Sequence, residues 1–158
     1  MKGLVVFDSY FGNTKMVAEA IAEQIRSEGH EAVVVSAREG KAWELTADFL
    51  FVGSPTRIGK PSHSVRKFVK KLDEVQWSGK PMAAFDTYMV PESQDPRVKR
   101  WTEYGAGYFI HDMLKERGFD VRSPPLKCIV TESEGPLAPD ALGKAKQYTH
   151  EFLLALGR

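Results

Sequence analysis

Val5-Val6-Phe7-Asp8-Ser9-Tyr10-Phe11-Gly12-Asn13-Thr14-Lys15-Met16-Val17-Ala18-Glu19-Ala20-Ile21 passes from strand to helix in a single short stretch. Leu4 to Phe7 is β-branched and aromatic with no polar alternation, the pattern of a strand buried on both faces. Beyond Asn13, the residues Val17, Ala20, Ile21, Gln24 and Ile25 recur at helical spacing and mark one face. Gly29 stands where such a helix needs a left-handed C-terminal residue. Between strand and helix lies Asp8 to Thr14. Consecutive backbone N–H groups at a helix N-terminus, helped by the helix dipole, make an anion site. The hydroxyls of Ser9 and Thr14 add donors, and Gly12 lets the chain turn tightly. Neither Lys nor Arg occurs between Asp8 and Thr14, which suits a phosphate monoester held by neutral donors. The competing reading is a plain helix start with Ser9 or Asn13 as its cap. There is no G-x-x-x-x-G-K-[ST], and no G-x-G-x-x-G follows the first strand, so the Walker-type and dinucleotide loops are excluded.

Working outward, strand and helix patterns alternate. Ala32 to Val35, Phe49 to Val52 and Met82 to Phe85 read as further buried strands, with a short helix near Trp43 and a helical stripe at Val65, Phe68, Val69 and Leu72. Residues 86–104 lack periodicity and are expected to form a long functional loop. A helix follows through Ala106, Ile110, Met113 and Leu114 to Gly118; Phe119 to Val121 and Leu126 to Val130 are strand-like around Pro124-Pro125; Leu142 to Leu156 is a C-terminal helix. Five strand–helix units of this kind predict an α/β fold, a doubly wound five-stranded parallel sheet with helices on both faces. Ligands of such sheets sit beyond the C-terminal strand ends, so the loops after strands one, three and four should matter.

At 158 residues, the chain is expected to form one domain, 1–158. Its 22 basic and 21 acidic residues leave a net charge of +1, which argues against binding nucleic acid through a basic surface. The single cysteine, Cys128, excludes a disulfide framework and a multi-cysteine metal site, and reads as a small core residue. His30, His63, His111 and His150 are scattered and read as surface or helix-end residues, so no metal site is expected. Leu4 to Phe7 is too short for a signal peptide or a membrane span, which makes the cytoplasm the default compartment and leaves no membrane partner.

The opening stretch resembles the flavodoxin signature: two aliphatics, an aromatic, a hydroxyl residue at Ser9, a small residue at Gly12, Thr14, Ala18 and Ile21. That resemblance implies a sheet in the order 2-1-3-4-5 and a loop wrapped around the phosphate of FMN, with Ser9, Tyr10, Phe11, Gly12, Asn13 and Thr14 in that role. The second loop, Gly53-Ser54-Pro55-Thr56-Arg57-Ile58-Gly59, is similar to one that flanks the flavin ring in FMN-dependent NAD(P)H:quinone oxidoreductases. By that likeness Pro55, Thr56, Arg57, Ile58 and Gly59 contact the flavin; because Gly59 lets the peptide turn easily, a backbone group near Ile58-Gly59 is expected to face its N5. Where many family members have an aromatic residue, this chain has Arg57 and Ile58. Asp86, Thr87 and Tyr88 close the other side, with Tyr88 the first choice for a stacking aromatic and Trp101 and Tyr104 in reserve.

The implied function is one- or two-electron transfer between redox partner proteins; the alternative is an enzyme that uses NAD(P)H to reduce quinone-like acceptors. Neither demands a side-chain acid, base or nucleophile, so no catalytic residue is named. Arg57, Lys60, Arg66, Lys67, Lys70 and Lys71 fall in one run without an acid, either a solvated helix face or a docking surface for an acidic partner or for NAD(P)H phosphates. A phosphorylated receiver domain on a similar sheet is disfavoured, because Asp8 stands alone and Ser54 occupies the strand-three position.

Overall fold

Uniformly apolar strands need cover on both faces, and the chain supplies it. The computed structural model describes residues 1–90 and 93–156. Strands β1 (Lys2–Phe7), β2 (Glu31–Ser36), β3 (Phe49–Pro55) and β4 (Pro81–Met89) pair in parallel, and the sheet runs β2-β1-β3-β4. The fifth position is filled in two pieces, β5 (Asp120–Val121) and β6 (Leu126–Val130), both parallel to β4. Pro124 and Pro125 lack the N–H groups that a continuous strand would need there. The order 2-1-3-4-5 follows, with helices on both faces.

Successive strand residues serve opposite cores. Val5, Phe7, Phe49, Phe51, Ala83 and Phe85 pack under helices α1 (Asn13–Ser27) and α4 (Ala141–Leu156). Leu4, Val6, Leu50, Val52, Met82 and Ala84 pack under α2 (His63–Lys71) and α3 (Pro96–Glu116). Trp43 lies in a short 3-10 turn, Ala42–Glu44, and Cys128 is buried. Contrary to the surface reading of the histidines, His111 is buried on α3, its Nδ1 3.1 Å from Asp112. None of the described helices is long and apolar enough to cross a membrane.

The expected 86–104 loop is instead strand, a short connection and helix. Strand β4 continues to Met89, Pro91 lies outside the described residues, and α3 begins at Pro96. Asp95 caps that helix by accepting from the Arg97 N–H at 2.9 Å, with Pro96 in the first turn where no N–H is needed. Residues 96–104 are mostly exposed, so no apolar stripe betrays the helix.

At the other end of α3, Arg117 reaches across to α2. Its Nη1 donates to the Val69 carbonyl at 2.6 Å and its Nη2 to that of Leu72 at 2.8 Å, so one guanidinium satisfies the orphan carbonyls that end α2. Arg117→Ala is expected to lower stability by about 2 kcal/mol, and Arg117→Lys should recover only part of it, because an ammonium lacks the planar fork. Urea midpoints measure both.

Candidate functional site

The C-terminal ends of β1, β3, β4 and β6 surround a cavity of about 390 Å³. Asp8 fixes its floor from beneath. That carboxylate is buried, accepts from the Ser9 N–H at 2.8 Å and the Ser64 hydroxyl at 2.7 Å, and pairs with the Arg38 Nε at 2.7 Å. Beyond it the chain turns so that the Gly12 N–H donates to Ser9 Oγ at 2.9 Å. Gly12 caps α1 with φ of 92°, a left-handed conformation that favours glycine.

Gly12 has no side chain to offer the helix, and no side chain among the described residues caps α1, whereas Ser62 and Asp95 cap α2 and α3. Only from Met16, which donates to the Gly12 carbonyl at 3.0 Å, does the intrahelical ladder begin. The N–H groups of Asn13, Thr14 and Lys15 precede it without intrahelical acceptors. Ser9 and Asn13, the caps weighed from sequence, do other work: Asn13 Nδ2 donates to the Glu134 carbonyl at 3.1 Å. Thr14 Oγ1 lies 2.8 Å from Thr87 Oγ1 across the floor. The donors are thus amides at the positive end of a helix with neutral hydroxyls beside them, the set that accommodates an anion.

The walls are apolar. Tyr10, Phe11, Pro55, Ile58, Tyr88 and Met89 line the cavity. Arg57 bridges two loops: its guanidinium lies 4.3 Å from the Tyr10 ring centroid and 5.6 Å from that of Phe11. Arg57 and Lys60 exchange backbone hydrogen bonds of 2.9 and 3.0 Å, which closes a two-residue turn with both Ile58 (φ 51°) and Gly59 (φ 74°) left-handed. A β-branched residue in that region is strained, and Ile58 at the tip is 84% exposed.

Of the residues expected at the site, Ser9, Tyr10, Phe11, Asn13, Thr14, Pro55, Thr56, Arg57, Ile58, Thr87 and Tyr88 line this cavity together. Gly12 caps α1 from behind, and Gly59 packs against Trp101. Asp86, expected with Thr87 and Tyr88 to close the other side, does not line the cavity: it is fully buried under α3. There its Oδ2 pairs with Lys127 Nζ and accepts from the Gly107 N–H at 2.8 Å and the Thr56 hydroxyl at 3.4 Å. Burial pushes the Asp86 carboxyl above its ordinary range, and Lys127 opposes that rise.

The cluster around Asp86 exists because α3 breaks at Gly105 (φ 53°, ψ −167°). A side chain at Gly105 would place its Cβ 2.9 Å from both Asp86 Oδ2 and Lys127 Nζ. After the break the helix starts afresh, its first N–H groups taken by Thr56 Oγ1 (from Ala106, 3.0 Å) and Asp86 Oδ2. Lys127 Nζ also lies 4.6 Å from the centroid of the Tyr88 ring, a cation behind one wall of the cavity. Burial raises the Tyr88 phenol, with the Asp86 charge adding to it.

Sequence reasoning missed Met89, Val130 and Ser133 on the cavity and Lys127 behind it. The loop after the fifth strand was legible as a fourth strand-end loop, and its Ser133 was open to the same argument as the other three. Lys127 carried a fainter sign, a lone charge in the apolar run Leu126–Val130.

A family model described as "Flavodoxin domain" matches residues 4–116, well over half of the chain. A curated flavodoxin from Aquifex aeolicus (strain VF5) is 40% identical over 91 residues, which cover 54% of this chain and 49% of that protein. The chain thus spans about half the length of the curated relative it matches. Among solved structures, a flavodoxin from the domain Archaea has a TM-score of 0.78 at 28% identity, with 100% of each chain covered. Flavodoxin 1 from Bacillus cereus has a TM-score of 0.75 at 24% identity over 98% of each chain, a likeness of fold. A strand-end cavity, a helix left open toward it and these matches agree, and the chain belongs to the flavodoxin family.

Proposed function

We propose that the protein binds FMN in the strand-end cavity and carries electrons between redox partner proteins in the cytoplasm, with residues 1–158 acting as one unit. The observation that carries this reading is the uncapped start of α1, which opens beside neutral hydroxyls and below aromatic walls. The amides of Asn13, Thr14 and Lys15 and the hydroxyls of Ser9 and Thr14 hold the phosphate. Pro55, Thr56, Ile58 and Gly59 form one wall of the ring site, and Thr87, Tyr88 and Met89 the other. Tyr88 offers its face for offset stacking. When bound, FMN supplies the one- or two-electron chemistry. The protein orients the cofactor, keeps water from its faces, and sets the charge around it through Arg57 and through Lys127 behind Tyr88. The Ile58–Gly59 peptide, held at the tip of its turn, is the backbone group nearest in kind to what a ring nitrogen edge requires.

Titration of colourless protein with FMN tests this directly. A saturable yellow complex is expected, and at free FMN about 100-fold above its Kd the folded state should gain about 2.7 kcal/mol, seen as a raised Tm. Protein that stays colourless with an unmoved Tm rejects the reading. Negligible NAD(P)H oxidation in the presence of a quinone is expected of a carrier; rapid turnover there would favour the quinone-reducing alternative.

A further inference from the structure

Beside the proposed FMN cavity runs a second groove of about 590 Å³, bounded by Ile58, Lys60, Arg100, Trp101 and Tyr104. Ile58 belongs to both hollows, so the groove begins where the ring edge would emerge. Large apolar groups stand in solvent around this edge: Ile58 is 84% exposed, Trp101 55% and Met89 45%. Contiguous exposed apolar surface at the mouth of a site marks an interaction region.

The charge around it has one prevailing sign. Arg57, Lys60 and Arg100 are exposed, and no carboxylate among the described residues pairs with any of them. Three other cations near the site are partnered, Arg38 by Asp8, Arg97 by Asp95 and Lys127 by Asp86. The acids close by are Glu103, which borders the adjoining hollow with Arg100, Asp112, which accepts from the Tyr104 hydroxyl, and Glu132 and Glu134, which flank Ser133 at the α1 end of the cavity. With a net charge of only +1 over the chain, this excess is local to the edge.

An apolar centre with a charged rim is the anatomy of a transient protein interface, and the rim's sign selects the partner. We propose that this edge is the docking surface for an electron-transfer protein whose own docking face is an apolar patch ringed by carboxylates. The proposal rests on the FMN reading for its purpose, since docking here brings a partner to the exposed ring edge. Ile58 and Trp101 supply contact, while Lys60 and Arg100 steer the encounter and fix its orientation.

The test uses FMN-loaded, ¹⁵N-labelled protein titrated with two probes, an acidic plant-type ferredoxin and a basic c-type cytochrome, at low and high ionic strength. The ferredoxin is expected to perturb amides of residues 57–60 and 97–104 at low salt. Its affinity should fall about tenfold at high salt, and about tenfold in the double variant K60E/R100E. Both substituted side chains are exposed, and an unchanged amide spectrum elsewhere verifies the variant's fold. Failure of the ferredoxin to bind, its contact with another face, preferential binding of the cytochrome at this edge, or affinity within about twofold in the variant overturns the proposal. The absorption spectrum of the same sample reports on FMN separately. Colourless protein strikes the cofactor reading, while yellow protein with any of those titration results strikes the docking surface alone.

Discussion

Lys127→Met is expected to remove about 3 kcal/mol of stability at neutral pH, and acidification should return much of it. Among the described residues Lys127 is the only cation paired with Asp86, whose carboxylate is 0% exposed and whose Oδ1 has no partner among them. Met keeps most of the side chain's length and removes the charge that lies over the Tyr88 ring. What remains is a buried carboxylate held only by the Gly107 N–H and the Thr56 hydroxyl. Burial already raises the Asp86 carboxyl above 3.8, and loss of the ammonium removes the largest opposing influence. The folded carboxyl then keeps its proton at a pH where the unfolded chain has released it. Stability is therefore greatest below the unfolded value and is lost as pH rises through the folded one. Urea unfolding at neutral pH and at about pH 5 should show a smaller loss in acid. Adding Asp86→Asn to the Lys127→Met variant should abolish that pH dependence. An equal loss at both pH values would show that the pair is not electrostatically coupled to folding.

Asn13→Asp should separate binding of the phosphate from binding of the ring. The change is isosteric and sits in the first turn of α1, which carries no acid. A carboxylate there meets the positive helix end but cannot replace the N–H that Asn13 Nδ2 donates to the Glu134 carbonyl, so the two effects offset and the free protein should stay within about 0.5 kcal/mol of the parent. For a phosphate dianion the same carboxylate is a competitor held within a few ångströms. Repulsion screened by partly solvated surroundings should weaken FMN about 100-fold, or about 2.7 kcal/mol. Riboflavin, which shares the ring and lacks the phosphate, should lose little. Paired titrations with FMN and riboflavin, alongside urea midpoints of the free protein, measure all three effects. Equal loss of both ligands would mean that Asn13 holds the ring or the shape of the loop, and not the phosphate end.

How much of this was legible in the sequence follows from where side chains find their partners. The apolar runs at Leu4, Phe49 and Met82 announce buried parallel strands, because a strand covered on both faces has no polar alternation to confuse its period. The start of α1 was legible for the opposite reason: hydroxyls and glycine in place of apolar residues mark a turn that must present its backbone. The first half of α3 was hidden because residues 96–104 pack on little and carry no stripe, although Asp95-Pro96 is a helix-start signal in its own right. Asp86 was placed at the site by its position at a strand end, and that position does not say which way a side chain turns. Its true partners, Gly107 and Lys127, lie 21 and 41 residues away, and no local pattern connects them.

Thr56 has two allegiances. It belongs to the wall beside the cavity, and its hydroxyl is also the acceptor that starts the second half of α3 at Ala106. That wall cannot swing outward as a free flap without unfastening the first amide of a long helix. Its hinge is fastened to a helix whose Ile110 and Leu114 are fully buried, so moving the wall would strain the end of an element rooted in the core.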